Sequence, residues 1–156
     1  MIEIEIPGLT TFHFQHLVLD VNGTIAKDGQ LIGGVAELLK ELRAKIDIHL
    51  ITADTHGKQE SIDKLLGCAA VLIPPHDQRK AKLEYIERLG AGTVFAVGNG
   101  ANDAEMLSHA ALGVAVIGPE GAAVETLAKA AVVVPDIQSA LELLVYPKRL
   151  VATLRR

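Results

Sequence analysis

Polar residues follow several apolar runs of the sequence, each at the point where the run ends. HLVLD ends in Asp20, IDIHLIT ends in Thr52, and TVFAVG leads into Asn99, Asn102 and Asp103. A carboxylate at such a position can act as a nucleophile or bind a cation, and hydroxyl and amide groups can bind phosphate oxygens. These residue types together favour phosphate chemistry supported by a divalent metal.

The segments around Asp20 and Asp103 are the most informative. Asp20 is followed by VNGT, where Gly23 permits a tight turn and the backbone N–H groups can cradle a phosphate. In GNGANDAEML, a dinucleotide-binding motif fails because Asp103 stands where the third glycine is required. Asp103 and the amide oxygen of Asn99 are hard ligands of the kind that Mg²⁺ takes. The alternative is a turn with an Asn/Asp helix cap.

Two further residues are weak signals when taken alone. Thr52 either caps the following helix or donates a hydrogen bond to a phosphate oxygen. Lys82, or Lys80 in its place, lies near the start of the next helix, and most lysines are simply solvated.

Strands and helices must alternate along the chain to position these residues. The N-terminal IEIEI and TFHFQ alternate with period two and predict a β-hairpin, and Asp-Gly in KDGQ predicts a second, short one. From VAELLKELRA onward, helical patterns alternate with apolar runs such as AAVLIP and LGVAVI, and GPEG is expected to open the helix EGAAVETLAKA. This order predicts an α/β fold with a doubly wound parallel sheet, whose functional groups gather at the carboxyl ends of the strands.

Length and composition narrow the class of protein. The chain has 156 residues and predicts one domain, with an N-terminal hairpin (1–15), a core (16–135) and C-terminal helices (136–156). A net charge of −4 argues against nucleic-acid binding. The most apolar region is broken by charged residues and Pro119, so no membrane span is expected. A single cysteine, Cys68, excludes a disulfide framework and favours the cytoplasm.

The motifs together resemble those of the haloacid dehalogenase superfamily. DVNGT is similar to its first motif, LIT ending in Thr52 to its second, Lys82 to its third and GNGAND to its fourth. GNGANDAEML and the C-terminal LLVYPKRLVATLRR are similar to the branch called soluble P-type ATPases. The hairpin at KDGQ is similar to the flap of that superfamily. Residues 25–51 and 53–81 are too few for a cap or a nucleotide-binding domain, so a Rossmann-like, capless, three-layer domain is expected.

The resemblance implies a mechanism and a set of site residues. Asp20 would become an aspartyl phosphate, with Asn22, Thr52 and Lys82 as the other catalytic residues. Mg²⁺ would lie between Asp20, the backbone carbonyl of Asn22, Asn99 and Asp103. The implied phosphate-binding residues are Val21, Asn22, Gly23, Thr24, Thr52, Ala53, Lys82 and Asn102.

Two positions depart from the pattern of the superfamily. Asn22 stands where phosphatases have an aspartate that protonates the leaving group and activates water, which an amide cannot do. The loss of this help, about 10²–10⁴ in rate, predicts slow hydrolysis of alkyl phosphates. Leaving groups that need no proton, as in acyl phosphates, nitrophenyl phosphate or phosphoanhydrides, are less affected. Asn99 replaces a second acid, which predicts weaker Mg²⁺ binding.

Three functions therefore compete. The first is a slow, Mg²⁺-dependent phosphohydrolase or phosphotransferase acting on a small phosphorylated substrate or a phosphoprotein. The second is a non-catalytic or regulatory phosphate-binding module. The third, a response-regulator-like receiver, is disfavoured by the glycine loops in DVNGT and GNGAND. An open site also allows coverage by a second copy of the chain in a homo-oligomer.

Overall fold

A computed structural model of the protein describes residues 1–54 and 57–156. Strands and helices alternate through the described residues, as the sequence predicts. The strands are β1 (Ile2–Ile6), β2 (Thr10–Phe14), β3 (His16–Asp20), β4 (Ala26–Lys27), β5 (Gln30–Leu31), β6 (Asp47–Thr52), β7 (Val71–Leu72), β8 (Val94–Gly98), β9 (Leu112–Val116) and β10 (Val132–Val134). The helices are α1 (Val35–Leu42), α2 (Gln59–Leu66), α3 (Gln78–Leu89), α4 (Ala104–His109), α5 (Val124–Lys129), α6 (Ile137–Val145) and α7 (Pro147–Leu154).

In the described part of the chain, six strands form a parallel sheet in the order β10-β9-β8-β3-β6-β7. The register pairs Leu19 of β3 with Val97 of β8 and Asp20 with Ile51 of β6. The carboxyl ends of these three strands are therefore level with each other, and the residues that follow them meet at one edge. The predicted α/β, doubly wound fold is confirmed.

Helices cover both faces of this sheet, which makes the three layers. Leu17 and Leu19 of β3 belong to the apolar core beneath α1 and α6, while Val18 belongs to the core beneath α3 and α4. Alternate residues of one strand are thus buried on opposite faces, as in a parallel sheet covered by helices.

Both predicted hairpins are present. Ile2, Ile4 and Ile6 of β1 are buried, and β1 contacts α7. The short hairpin β4–β5 turns through Asp28 at φ 51° and Gly29 at φ 76°. Two consecutive positive φ angles are typical of the type I′ turn that Asp-Gly favours.

Two elements differ from the prediction. AAVLIP forms only the two-residue strand β7, because this strand pairs with β6 alone at the sheet edge and Pro74 and Pro75 come shortly after it. The expected helix at GPEG was wrong: α5 begins at Val124, and Gly118 and Gly121 adopt positive φ angles of 56° and 75°. The residues before α5 instead form a turn that lies beside the site.

Among the described residues, none of the helices combines the length and hydrophobicity needed to span a membrane.

Candidate active site

A buried lysine joins two carboxylates at the carboxyl edge of the sheet. Lys82 Nζ donates hydrogen bonds of 2.6 Å to Asp20 Oδ1 and 2.6 Å to Asp103 Oδ1. Lys82 is 1% exposed, Asp103 is 0% exposed and Asp20 is 6% exposed. Charged groups are buried to this extent only when they are paired, so this cluster is a candidate functional centre.

Burial and charge shift the pKa values of the cluster. Desolvation, and next the neighbouring Asp103 carboxylate, raise the pKa of Asp20 to about 7, although the Lys82 ammonium opposes the shift. Burial by itself lowers the pKa of Lys82, but the carboxylates of Asp20 and Asp103 outweigh it and the net pKa is raised. Lys82 therefore stays charged, and an additional cation near Asp20 would favour its ionised form.

Asp20 is also oriented from its other side. The hydroxyl of Thr24 lies 3.1 Å from Asp20 Oδ2 and 3.2 Å from Asn99 Oδ1, and it can donate to either oxygen. Thr24 is fully buried in the loop after β3. This contact brings the carboxylate of Asp20 and the amide oxygen of Asn99 close to one another, as the sequence predicts for two groups that share a cation.

The loop after β8 is organised by Asp103. Its Oδ2 accepts 3.0 Å hydrogen bonds from the backbone N–H groups of Asn99 and Gly100. Gly98 leaves room for this arrangement, since a Cβ there would lie 2.4 Å from Asp103 Cγ. Asp103 thus acts as the turn-forming residue that was considered as an alternative, while its other oxygen contacts Lys82.

Thr52 and Asn22 meet in the wall of the cavity that Asp20 also lines. Asn22 Nδ2 lies 3.3 Å from Thr52 Oγ1, which also accepts a 2.9 Å hydrogen bond from the backbone N–H of Asp54. Thr52 is the acceptor in both bonds, so its own O–H group remains to donate to a ligand oxygen.

These groups surround an open cavity of about 320 Å³. Its walls are formed by Asp20, Asn22, Thr52, Ala53, Gln78, Asn99, Gly100, Asn102 and Glu120. The cavity therefore brings together most of the predicted site residues from three strand ends.

The backbone N–H groups expected to bind phosphate are used differently in this structure. Val21 N donates to Ile51 O, Gly23 N to Ala26 O and Thr24 N to Val21 O. These bonds close the tight loop after β3, so the three amides do not point into the cavity. Of the predicted phosphate-binding set, Asn22, Thr52, Ala53 and Asn102 line the cavity.

The structure distinguishes between the two candidate lysines. Lys82 is buried in the cluster, whereas the Lys80 side chain is 75% exposed and forms an ion pair with Glu84 on its own helix. The two side chains leave opposite sides of α3, because residues two apart on a helix do not share a face.

Three residues that line the cavity, Gln78, Gly100 and Glu120, were not predicted as site residues. Gln78 begins α3, and its side-chain oxygen accepts a 2.7 Å hydrogen bond from Asn102 Nδ2. Glu120 lies in the turn before α5. Gln78 stands one helical turn before Lys82, and this spacing is a signal in the sequence that it lies near the site. Glu120 has no such signal, because GPEG is expected to open a helix.

The donor set is compatible with Mg²⁺. It consists of oxygen ligands, the carboxylates of Asp20 and Asp103 and the amide of Asn99, at the same edge of the sheet. Among the described residues, no group of three or more His, Cys, Asp and Glu side chains forms a metal site. The set is thus a pair of acids supplemented by an amide, the type that suits a hard cation rather than Zn²⁺.

Solved structures with a similar fold include three phosphatases. The crystal structure of 3-deoxy-D-manno-octulosonate 8-phosphate phosphatase from Moraxella catarrhalis, in complex with magnesium ion, phosphate ion and KDO, superposes with a TM-score of 0.68 at 20% identity, covering 92% of this chain and 94% of that chain. The cobalt-bound deoxy-D-mannose-octulosonate 8-phosphate phosphatase from Haemophilus influenzae gives a TM-score of 0.70 at 14% identity, covering 85% and 88%. A putative 3-deoxy-D-manno-octulosonate 8-phosphate phosphatase from Vibrio cholerae gives a TM-score of 0.70 at 16% identity, covering 96% of this chain and 97% of that chain. At these identities the likeness establishes the fold.

Sequence comparison identifies the family. An uncharacterized protein of Methanocaldococcus jannaschii is 43% identical over 82 residues, covering 50% of this chain and 88% of that protein. The family model described as haloacid dehalogenase-like hydrolase matches residues 2–111, which include Asp20, Thr52, Lys82 and Asp103. The chain therefore belongs to the haloacid dehalogenase-like hydrolases.

Proposed function

We propose that the protein is a Mg²⁺-dependent phosphohydrolase or phosphotransferase that acts through an aspartyl phosphate at Asp20. The observation that carries this proposal is the hydrogen bonding of the buried Lys82 ammonium to both Asp20 and Asp103, beside an open cavity that Asp20 lines. A purely structural ion pair would not need a cavity beside it lined by Thr52 and three asparagines. The names of the similar phosphatases support the same class of reaction.

Asp20 is the proposed nucleophile. One of its carboxylate oxygens attacks the phosphorus atom, the bond from phosphorus to the leaving oxygen breaks, and the leaving group departs with that electron pair. Lys82 and Thr24 hold the carboxylate from two sides and fix its orientation before attack. Water or an acceptor alcohol then attacks phosphorus and loses its proton to solvent, while the bond from phosphorus to the Asp20 oxygen breaks and the carboxylate leaves with that electron pair.

The cation would be held by Asp20, Asn99 and the carbonyl oxygen of Asn22, with the Asp103 carboxylate beside them. When bound, Mg²⁺ supplies charge neutralisation for the transferring phosphoryl group. Asp103 already accepts hydrogen bonds with both of its oxygens. We therefore assign to it mainly negative charge and the orientation of Lys82 and of the Asn99 backbone.

Thr52, Asn102 and Lys82 are the proposed donors to phosphate oxygens. Thr52 and Asn102 both line the cavity together with Asp20. Preorganised donors of this kind stabilise the charge that develops on the phosphoryl oxygens.

Asn22 determines which substrates are turned over. It occupies the cavity wall beside Thr52, but its amide has no proton to give to a leaving alkoxide. We therefore propose substrates whose leaving groups depart unprotonated, namely acyl phosphates, aryl phosphates or phosphoanhydrides, on a small molecule or a phosphoprotein.

Nitrophenyl phosphate hydrolysis tests this function. Wild-type protein with Mg²⁺ is expected to release nitrophenol, and activity is expected to fall to background after chelation by EDTA or in Asp20→Asn. Beryllium fluoride, a mimic of the phosphoryl group, is expected to raise the melting temperature of the wild type with Mg²⁺ but not that of Asp20→Asn. Turnover that survives in Asp20→Asn contradicts the mechanism. Stabilisation without turnover on any phosphate supports the non-catalytic phosphate-binding module instead.

A further inference from the structure

The turn between β9 and α5 is fixed against the site by hydrogen bonds to Asn99. Asn99 Nδ2 donates to the carbonyl of Gly121 at 3.0 Å, and the backbone N–H of Ala123 donates to Asn99 O at 2.9 Å. On the other side, a Cβ placed on Gly118 would lie 3.2 Å from Gly23 O. The turn is therefore held between the two loops that carry Asn99 and Asp20.

Glu120 at the tip of this turn reaches the loop that follows Asp20. A Cβ placed on Gly23 would lie 2.3 Å from Glu120 Oε2 and 2.6 Å from Asn99 Nδ2. The Glu120 carboxylate and the Asn99 amide are thus close neighbours over the same glycine. Both line the cavity together with Asp20.

The surroundings of Glu120 offer no internal reason for its orientation. Glu125, five residues later, forms ion pairs with Arg79 and Lys129. Glu120 forms no ion pair with any cation of the described residues. A surface carboxylate without a cationic partner that nevertheless lies over a site is suited to an external cation.

The charges of the site favour the same interpretation. The carboxylates of Asp20 and Asp103 and the ammonium of Lys82 leave a net charge of −1, because Asn99 contributes none. With Glu120 included, the net charge is −2 and balances a divalent cation. Glu120 lies next to the amide that replaces the missing acid.

We propose that Glu120 supplies the negative charge that Asn99 lacks and so positions and retains the divalent cation beside Asp20. This inference rests on the proposed function, since it concerns the same metal site. Glu120 acts on the cation directly or through water, and it is a positioning residue rather than a donor of protons to the substrate.

Calorimetric titration with Mg²⁺ alone tests this role without requiring turnover. Glu120→Gln is expected to raise the Kd for Mg²⁺ about tenfold, equivalent to about 1.4 kcal/mol. The effect is expected to shrink as NaCl is raised, because an exposed carboxylate is screened by salt. Glu41→Gln, which removes one exposed charge from α1, is the matched control and is expected to leave the Kd unchanged.

A second variant distinguishes replacement of charge from general damage. Asn99→Asp in the Glu120→Gln background is expected to restore the Kd to the wild-type value or below it. It introduces a carboxylate next to the one that Glu120→Gln removes. The melting temperatures of the wild type and of Glu120→Gln without Mg²⁺ are expected to agree, because Glu120 is exposed.

The outcomes separate this inference from the proposed function. Equal Mg²⁺ affinity in wild type and Glu120→Gln, with loss of binding in Asp20→Asn, overturns the role of Glu120 alone. Reduced turnover in Glu120→Gln with an unchanged Kd also overturns it, because it indicates proton transfer instead. If neither wild type nor Asp20→Asn binds Mg²⁺, the proposed metal-dependent function fails as well.

Discussion

Replacing Lys82 by methionine is expected to destabilise the fold strongly. Methionine preserves most of the side-chain volume, but it leaves the carboxylates of Asp20 and Asp103 buried without the ammonium that contacts both at 2.6 Å. Removing one partner from a buried ion pair costs about 3–5 kcal/mol of unfolding free energy. For a domain of this size each kcal/mol lowers the melting temperature by about 2–4 °C, so a decrease of about 6–20 °C is expected.

Urea unfolding in EDTA measures this cost without interference from bound metal. Lys80→Met is the matched control, since it removes the same charge from the same helix where the side chain is 75% exposed. It is expected to leave the unfolding midpoint nearly unchanged. Adding Asp20→Asn to Lys82→Met removes one of the two uncompensated carboxylates, so the double variant is expected to recover part of the lost stability.

Two results would refute this reasoning. If Lys82→Met is no less stable than Lys80→Met, the ammonium does not compensate the buried carboxylates. If the double variant is less stable than Lys82→Met alone, the two substitutions act through separate causes rather than through one electrostatic cluster.

Three other predictions concern the chemistry, the packing and the pH dependence. Asn22→Asp is expected to raise kcat/KM on alkyl phosphates by about 10²–10⁴, with little change on nitrophenyl phosphate. Equal gains on both substrates in steady-state assays would contradict the idea that position 22 controls protonation of the leaving group. Gly113→Ala is expected to lower the unfolding free energy by about 1–3 kcal/mol, because the added Cβ would lie 2.1 Å from a backbone carbonyl oxygen. The control Gly92→Ala places its Cβ in open space and is expected to change the unfolding free energy, measured by thermal unfolding, by less than about 0.5 kcal/mol. Burial, and next the neighbouring His16, lower the pKa of His49 in the folded protein. Below about pH 6.5 the unfolded chain therefore binds more protons than the folded one, and the wild type loses stability as the pH falls. Chemical denaturation at pH 7.5 and 5.5 is expected to show a smaller loss in His49→Gln, and an identical loss would rule out this contribution.

The sequence was sufficient to predict the fold because local patterns and topology agree. Alternating strands and helices require a parallel sheet, and the Asp-Gly pair at Asp28 and Gly29 has the conformation that its composition favours. The length of β7 and the start of α5 were not predictable in the same way. The length of β7 depends on its pairing at the edge of the sheet. The start of α5 depends on the hydrogen bond that the distant Asn99 side chain donates to Gly121 just before it.

The site was predictable to the extent that strand ends define it. Asp20, Thr52 and Asn99 follow strands whose carboxyl ends are level, so their proximity follows from the topology. The helical spacing of Ile86 and Leu89 after Lys82 favours it over Lys80, and α3 is oriented so that Lys82 is buried and Lys80 is exposed. Glu120 escaped prediction because its placement depends on how a turn packs against two other loops. The assigned roles of these residues stay predictions.

The contact of Lys82 with Asp20 and Asp103 has a consequence for how the chain folds. These residues are separated by 62 and 21 positions, and they belong to β3, α3 and the loop after β8. A partly folded chain that had docked only two of these segments would enclose an unmatched charge, which is costly in a low-dielectric interior. The same residues that would perform the reaction thus penalise incomplete structures, and they favour cooperative, all-or-none assembly of the central strands.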